Sequence, residues 1–114
     1  MTVRLIGYPP SVYTWAARMA LMAKGVDFTE EPADPFDPAG KAALRAHQPF
    51  GFVPALYHGD ICIYETAAIL DYFDQAFDGP ALTPNTALAK ARQRQVLGSI
   101  DAHGYWPLVC QVYV

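Results

Sequence analysis

Charge is scarce in this sequence. Charged residues are 17% of its 114 positions, 8 basic against 11 acidic, for a formal net charge of −3; ordinary domains carry about 25%. The few lysines and arginines form no block, which disfavours phosphate-driven nucleic-acid binding. No apolar run approaches the roughly 18 residues of a membrane-spanning helix, so no membrane partner is expected. Met1 to Pro10 carry one Arg and no apolar core of signal-peptide length, which argues against secretion. Only two cysteines occur, Cys62 and Cys110, far apart and without a C-x-x-C motif. That excludes a disulfide framework and fits a reducing, cytoplasmic setting. The histidines His47, His58 and His103 lack ligand spacing, so no metal is expected. Neither a G-x-G-x-x-G nor a P-loop pattern occurs. Ser, His and Asp are all present, but nothing in their order assembles them into a hydrolytic triad.

Apolar residues, in contrast, reach 53%, against roughly 45–50% in ordinary domains. Such a chain has the means to fold, as one domain by length. The excess also points to apolar surface that meets a partner or another part of the same protein. Thr2 to Ile6 alternates and reads as a strand. Gly7-Tyr8-Pro9-Pro10 breaks it. Val12 to Lys24 follows without Gly or Pro and reads as a helix, with Trp15, Met19, Met22 and Ala23 at helical spacing and Gly25 as its stop. Val26 to Glu30 reads as a second strand, closing a βαβ unit. After a Pro-rich loop (Pro32 to Pro38), Ala39 to His47 reads as a short helix. Pro54–Tyr57 and Ile61–Tyr64 read as a hairpin turning at Gly59-Asp60. Ala67 to Phe77 reads as a one-sided buried helix. Asp78 to Asn85 is a linker, and Thr86 to His103 is the longest helical stretch. Gly104 to Val114 is mostly apolar and ends without a cap. Trp15, Tyr72 and Phe73 read as core aromatics. The layout predicts a mixed sheet with helices packed on it.

Four places can carry chemistry. Ser11 stands just before the first helix, where free N–H groups favour an anion and a hydroxyl can donate to a thiolate or oxyanion; taken alone, an N-cap is the plainer reading. Val53-Pro54 precedes an apolar strand. A trans Pro at a strand start is the ordinary reading, whereas a cis bond would turn the Val53 N–H and C=O outward, towards an extended peptide. Glu65-Thr66 opens the next helix, with Thr66 as an N-cap candidate and the helix end able to hold a carboxylate. Asp101 lies in the long helix, where a solvated role is the plain alternative.

The order of these signals is more specific than any one of them. Gln48-Pro49-Phe50-Gly51-Phe52-Val53-Pro54-Ala55-Leu56, then His58-Gly59-Asp60, then Ile63-Tyr64-Glu65-Thr66-Ala67-Ala68-Ile69-Leu70-Asp71-Tyr72 resembles the N-terminal domain of the glutathione transferase superfamily. Ser11-Val12-Tyr13-Thr14 is similar to the S-x-x-T arrangement of its serine-type, phi- and theta-like classes. The resemblance spans residues 2 to 77, and Thr86 to Val114 resembles the first helix of the family's all-helical second domain.

The resemblance implies an α/β fold: a thioredoxin-like βαβ-αββα domain with a mixed four-stranded sheet over 1–78, a linker over 79–85, and the start of a truncated all-α domain over 86–114. It implies glutathione as co-substrate, no other cofactor, a small electrophilic second substrate, a homodimer and a role in detoxification. Ser11 would favour the glutathione thiolate. Val53, before a cis Pro54, would pair with the cysteinyl part. Glu65 and Thr66 would hold the γ-glutamyl end, Lys41 the glycine carboxylate, and Asp101 the γ-glutamyl amine across a dimer interface. Phe52 falls among the glutathione-contacting positions, where many relatives carry Lys or Gln, and Gln48 replaces the usual Asn. Family members run to about twice this length, so the uncovered apolar end predicts a fragment, a truncated product, or a chain completed by dimerisation. The alternative to an enzyme is a non-catalytic binding or assembly module of the same fold. A thiol-disulfide oxidoreductase is disfavoured because Ser11 stands where a redox Cys would be needed.

Overall fold

The computed structural model describes residues 1–111, which form two compact units divided between Leu82 and Thr83. In the first unit β1 (Val3–Gly7) leads into α1 (Val12–Ala23), β2 (Thr29–Pro32), α2 (Pro38–Leu44), β3 (Ala55–His58), β4 (Ile61–Tyr64) and α3 (Thr66–Ala76). The sheet order is β2-β1-β3-β4, with β1 parallel to β2 and antiparallel to β3, and β3 antiparallel to β4. This is the mixed four-stranded sheet of a thioredoxin-like fold.

Strand periodicity splits the core in two. Val3 and Leu5 of β1 and Leu56 of β3 point to one face, where they pack with Ala17, Ala20 and Leu21 of α1 and Ile69 and Phe73 of α3. Ile6 and Ala55 point to the other face and pack with Leu44 of α2. Small Ala17 and Ala20 let α1 lie close to the sheet. The stripe Trp15, Met19 and Met22 therefore faces outward, at 50%, 61% and 66% exposure. This corrects the reading of Trp15 as a core aromatic; the Arg18 guanidinium covers its ring at 4.4 Å instead. Phe73 is fully buried, and Tyr72 packs against the same core.

Gly25 ends α1 as expected. With φ +69, it lets its own N–H donate to Met22 O at 3.0 Å and that of Val26 to Leu21 O at 3.1 Å. These are the paired bonds of a Schellman motif. Val26 belongs to this exit, so the second strand begins later than the sequence reading placed it. Its ladder starts at Thr29 opposite Arg4 and reaches Pro32, tolerable because β2 is an edge strand. Arg4 clamps that edge with two bonds to the Glu31 carboxylate, at 2.8 and 3.0 Å. The expected helix over Ala39 to His47 is shorter and earlier, Pro38–Leu44, capped by Asp37. Gly59, at φ +61, makes the hairpin turn.

An ion pair fastens α1 to α3. Lys24, 7% exposed as a residue, places Nζ 2.9 Å from Asp74 Oδ1 and donates to Asp74 O at 3.3 Å. The same carboxylate accepts from the Leu82 N–H at 2.6 Å.

In the second unit Thr86 caps α4 (Ala87–Ser99) by accepting from Ala89 N–H at 3.2 Å. The expected helix to His103 does not continue as an α-helix. It widens into π-helical turns at Ile100–Gly104 and Trp106–Cys110. Pro107 lacks the N–H of an α-turn and crowds the preceding turn, and the wider winding accommodates it. Residues 112–114 of the apolar end lie outside the described residues. No helix among the described residues is long and apolar enough to cross a membrane.

Two outcomes follow. Lys24→Met is expected to cost about 3–5 kcal/mol, since it strands a partly buried carboxylate, measured as a lower urea midpoint. Lys24→Met with Asp74→Asn recovers most of that loss, and a single-variant cost below about 1 kcal/mol contradicts a buried pair. The hydrogen bonds from Arg4 hold the Glu31 carboxyl below its ordinary value of 4.5. A folded-state value below the unfolded one stabilises above the unfolded value, and the gain is lost as pH falls through the folded value. The stability gap between the natural protein and Glu31→Gln is therefore expected to be flat near neutrality and to close in acid below about pH 4.5. A gap independent of pH contradicts this.

Candidate functional site

Strand register gathers the segments of Ser11, Val53-Pro54 and Glu65-Thr66 at one end of the sheet. Ile6 pairs with Ala55, and Ala55 with Tyr64. The chain leaving β1 towards Ser11, the chain entering β3 through Val53-Pro54, and the chain leaving β4 into Glu65-Thr66 therefore lie side by side. α1 and α3 both begin there, so two helix N-termini, each with partial positive charge, share that end.

Ser11 sits in a tight corner between β1 and α1. Its Oγ accepts from Thr14 N–H at 3.2 Å, its N–H donates to Tyr8 O at 2.8 Å, and its carbonyl accepts from Trp15 N–H at 3.0 Å. A hydroxyl has two lone pairs and one proton. Capping uses one lone pair and leaves the proton able to donate outward, so the capping and anion-binding readings of Ser11 are compatible. Fully buried Thr14 closes the corner, its Oγ1 accepting from Tyr8 N–H at 3.2 Å. Gly7 is required opposite it, since a Cβ there would lie 2.3 Å from Thr14 Cγ2.

The Val53–Pro54 bond is cis. This is the form that the resemblance implies, not the trans form that residue-by-residue reading favours. Val53 is half-buried and lies outside the strands, and its amide and carbonyl take no backbone hydrogen bond among the described residues. The expectation that Thr66 caps α3 is corrected. Ile69 N–H donates to Glu65 O at 3.0 Å, which makes Glu65 the cap position and Thr66 the first helical residue. Glu65 has φ +74 and makes no side-chain cap bond.

Lys41 and Phe52 meet directly. Lys41 Nζ lies 4.2 Å from the Phe52 ring centroid and donates to Gly51 O at 3.2 Å. Asp101 falls in the second unit, exposed in the first π-helical turn.

Gln48, which stands in place of the usual Asn, has a scaffolding contact that the sequence analysis does not single out. It is 6% exposed. Its Nε2 donates to Phe52 O and its Oε1 accepts from Phe50 N–H, both at 2.6 Å. One buried amide thus fixes the loop that delivers Phe52 and Val53. A polar residue directly before Pro-Phe-Gly was the available signal. Among the described residues no cluster of three His, Cys, Asp or Glu is arranged to hold a metal ion. His47 Nδ1 is instead 2.8 Å from Tyr57 OH, and His58 Nδ1 2.6 Å from Tyr72 OH. Burial, reinforced by neighbouring Cys62, raises the Tyr57 phenol above its ordinary value.

Residues 5–81 match the family model of the glutathione S-transferase N-terminal domain. The chain is 31% identical over 96 residues to glutathione S-transferase U14 of Arabidopsis thaliana, covering 82% of this chain and 40% of that protein. It is 32% identical over 108 residues to maleylacetoacetate isomerase of Pseudomonas aeruginosa, covering 89% and 50%. Among solved structures, a Tau class glutathione S-transferase from mango, Mangifera indica, superposes with a TM-score of 0.84 at 28% identity, over 91% of this chain and 47% of that one. The chain thus spans half or less of the length of these proteins.

Gln48→Leu is expected to orphan the Phe52 carbonyl and Phe50 amide at a cost of about 1–3 kcal/mol, with amide exchange speeding up at residues 50–52. Unchanged exchange there would remove Gln48 from the site's scaffold.

Proposed function

This chain belongs to the glutathione S-transferase family, and from that premise we propose that it binds glutathione and activates the thiol for attack on a small electrophile. The observation that carries the reading is the corner at Ser11: a helix N-terminus with a hydroxyl whose lone pair caps the helix and whose proton remains to be given.

A free thiol has a pKa near 8.5, so little thiolate exists at neutral pH. Lowering that by about two units requires roughly 2.7 kcal/mol. One charge-assisted hydrogen bond and a helix end supply a sum of that size. In the proposed reaction the thiol proton passes to solvent, the sulfur lone pair forms a C–S bond at the electrophilic carbon, and the displaced group leaves with its electron pair. Ser11 donates to the sulfur throughout.

The remaining contacts orient the tripeptide. Val53 offers its amide and carbonyl to the cysteinyl residue in the manner of strand addition. The Glu65 carboxylate takes the γ-glutamyl amine, and the Thr66 end of α3 takes the α-carboxylate. Lys41 takes the glycine carboxylate. Asp101 reaches the γ-glutamyl amine from a second subunit, in a homodimer working in the cytoplasm. Glutathione serves as co-substrate, without a further cofactor.

Ser11→Ala in the full-length protein is expected to lower kcat/KM for conjugation of an activated chloronitrobenzene about 10- to 100-fold, the loss of one charge-assisted bond. It should also move the rate–pH profile upward by one unit or more, roughly the shift that such a bond sustains. Loss of the cap itself costs about 1 kcal/mol of stability but does not move that profile. An unchanged rate and profile would exclude Ser11 as the thiol activator. Retention on immobilised glutathione without turnover by the unaltered protein would replace the enzyme reading with that of a binding module.

A further inference from the structure

The ammonium of Lys41 is held by an aromatic ring, not by a counter-charge. The Phe52 ring, 58% exposed, presents its face 4.2 Å from Nζ. On another side Nζ donates to Gly51 O at 3.2 Å. No Asp or Glu forms an ion pair with Lys41 among the described residues. The geometry is fixed from beneath. Gly51, at φ +67, brings the loop so close that a Cβ would lie 2.9 Å from Lys41 Cγ. Gln48 pins the loop on both sides of Gly51, at Phe50 N–H and Phe52 O.

From this we propose that Phe52 is a positioning residue that acts through Lys41, orienting its ammonium for a ligand carboxylate while leaving its charge intact. The inference rests on the reading that Lys41 receives the glycine carboxylate of glutathione. A lysine side chain carries large rotamer entropy, and a binding event that must order it weakens accordingly. An Asp or Glu could order it too, but would neutralise the ammonium and repel the incoming carboxylate. A ring quadrupole attracts the cation without competing for its charge. The carbonyl of Gly51 engages one of the three N–H donors, leaving two for the ligand. The apolar residue at position 52 therefore replaces a direct polar contact with an indirect one.

The test uses calorimetric titration of the full-length protein with glutathione and with its monoester at the glycine carboxylate. Phe52→Leu is expected to weaken glutathione about threefold, the scale of an exposed cation–π contact, and to leave the monoester's affinity unchanged. Phe52→Tyr, which keeps the ring, should restore glutathione affinity. In a Lys41→Met background Phe52→Leu should have no further effect. The Lys41 ε-methylene protons should lose an upfield ring-current shift in Phe52→Leu and keep it in Phe52→Tyr. Equal weakening of both ligands, or none, overturns the positioning role while the glutathione reading stands. Binding of neither ligand by the unaltered protein overturns that reading, and the positioning role with it.

Discussion

The close approach of Gly7 to Thr14 is the constraint on which the arrangement of the first unit depends. β1 must turn into α1 within a few residues, and only a residue without a Cβ clears the Thr14 methyl. Buried Thr14 then serves both sides of the corner, accepting from Tyr8 N–H and donating its own N–H to Ser11 Oγ. Ser11 is thereby fixed in backbone and side chain at once. In an α/β sheet the chain ends beyond the strands are where helix N-termini and loops converge. Here the tight exit from β1 puts a hydroxyl at that spot.

The loop that carries Phe52 and Val53 is held by different means. α2 lies on the other sheet face through Leu44, and the loop from Gln48 to Pro54 returns from it to the sheet. Gln48 ties that loop internally, and Lys41 ties it back to α2 through Gly51 O. A buried amide with both ends satisfied is rigidifying, because freeing either end would leave an unpaired polar group. Hydrogen bonds of this kind hold a loop in place where little apolar core is available.

Sequence legibility followed the range of the forces involved. Gly25, Gly59-Asp60 and Ser11 act within a few residues of themselves, and each does in the structure what local chemistry predicts. The long motif from Gln48 to Tyr72 added the fold and the gathering of Ser11, Val53 and Glu65 at one sheet end. What stayed hidden depends on tertiary neighbours. The outward stripe of Trp15, Met19 and Met22 has the same helical spacing as a core stripe, and only the packing of Ala17 and Ala20 decides between them. Phe52 stands where many relatives carry Lys or Gln, and only the packing of its ring against Lys41 gives it a partner. The second strand slipped towards Pro32 because Val26 serves the exit of α1.

The start of α3 lacks the local support that the other helix starts have. Side chains of Ser11, Asp37 and Thr86 cap α1, α2 and α4, while α3 begins at Glu65 without a side-chain cap. Glu65 also holds φ +74, a conformation that costs a residue with a Cβ about 1–3 kcal/mol. Neither feature serves the helix, since a Ser or Asp with ordinary backbone would stabilise it. Both make sense if the first N–H groups of α3 and the Glu65 carboxylate are meant for a zwitterionic end group, carboxylate to the amides and amine to the carboxylate. The γ-glutamyl terminus of the proposed ligand has that pair of charges on one carbon. The missing cap at α3 and the double-duty cap at Ser11 then follow one principle: a helix end that needs to hold an external anion cannot spend all its donors on its own chain.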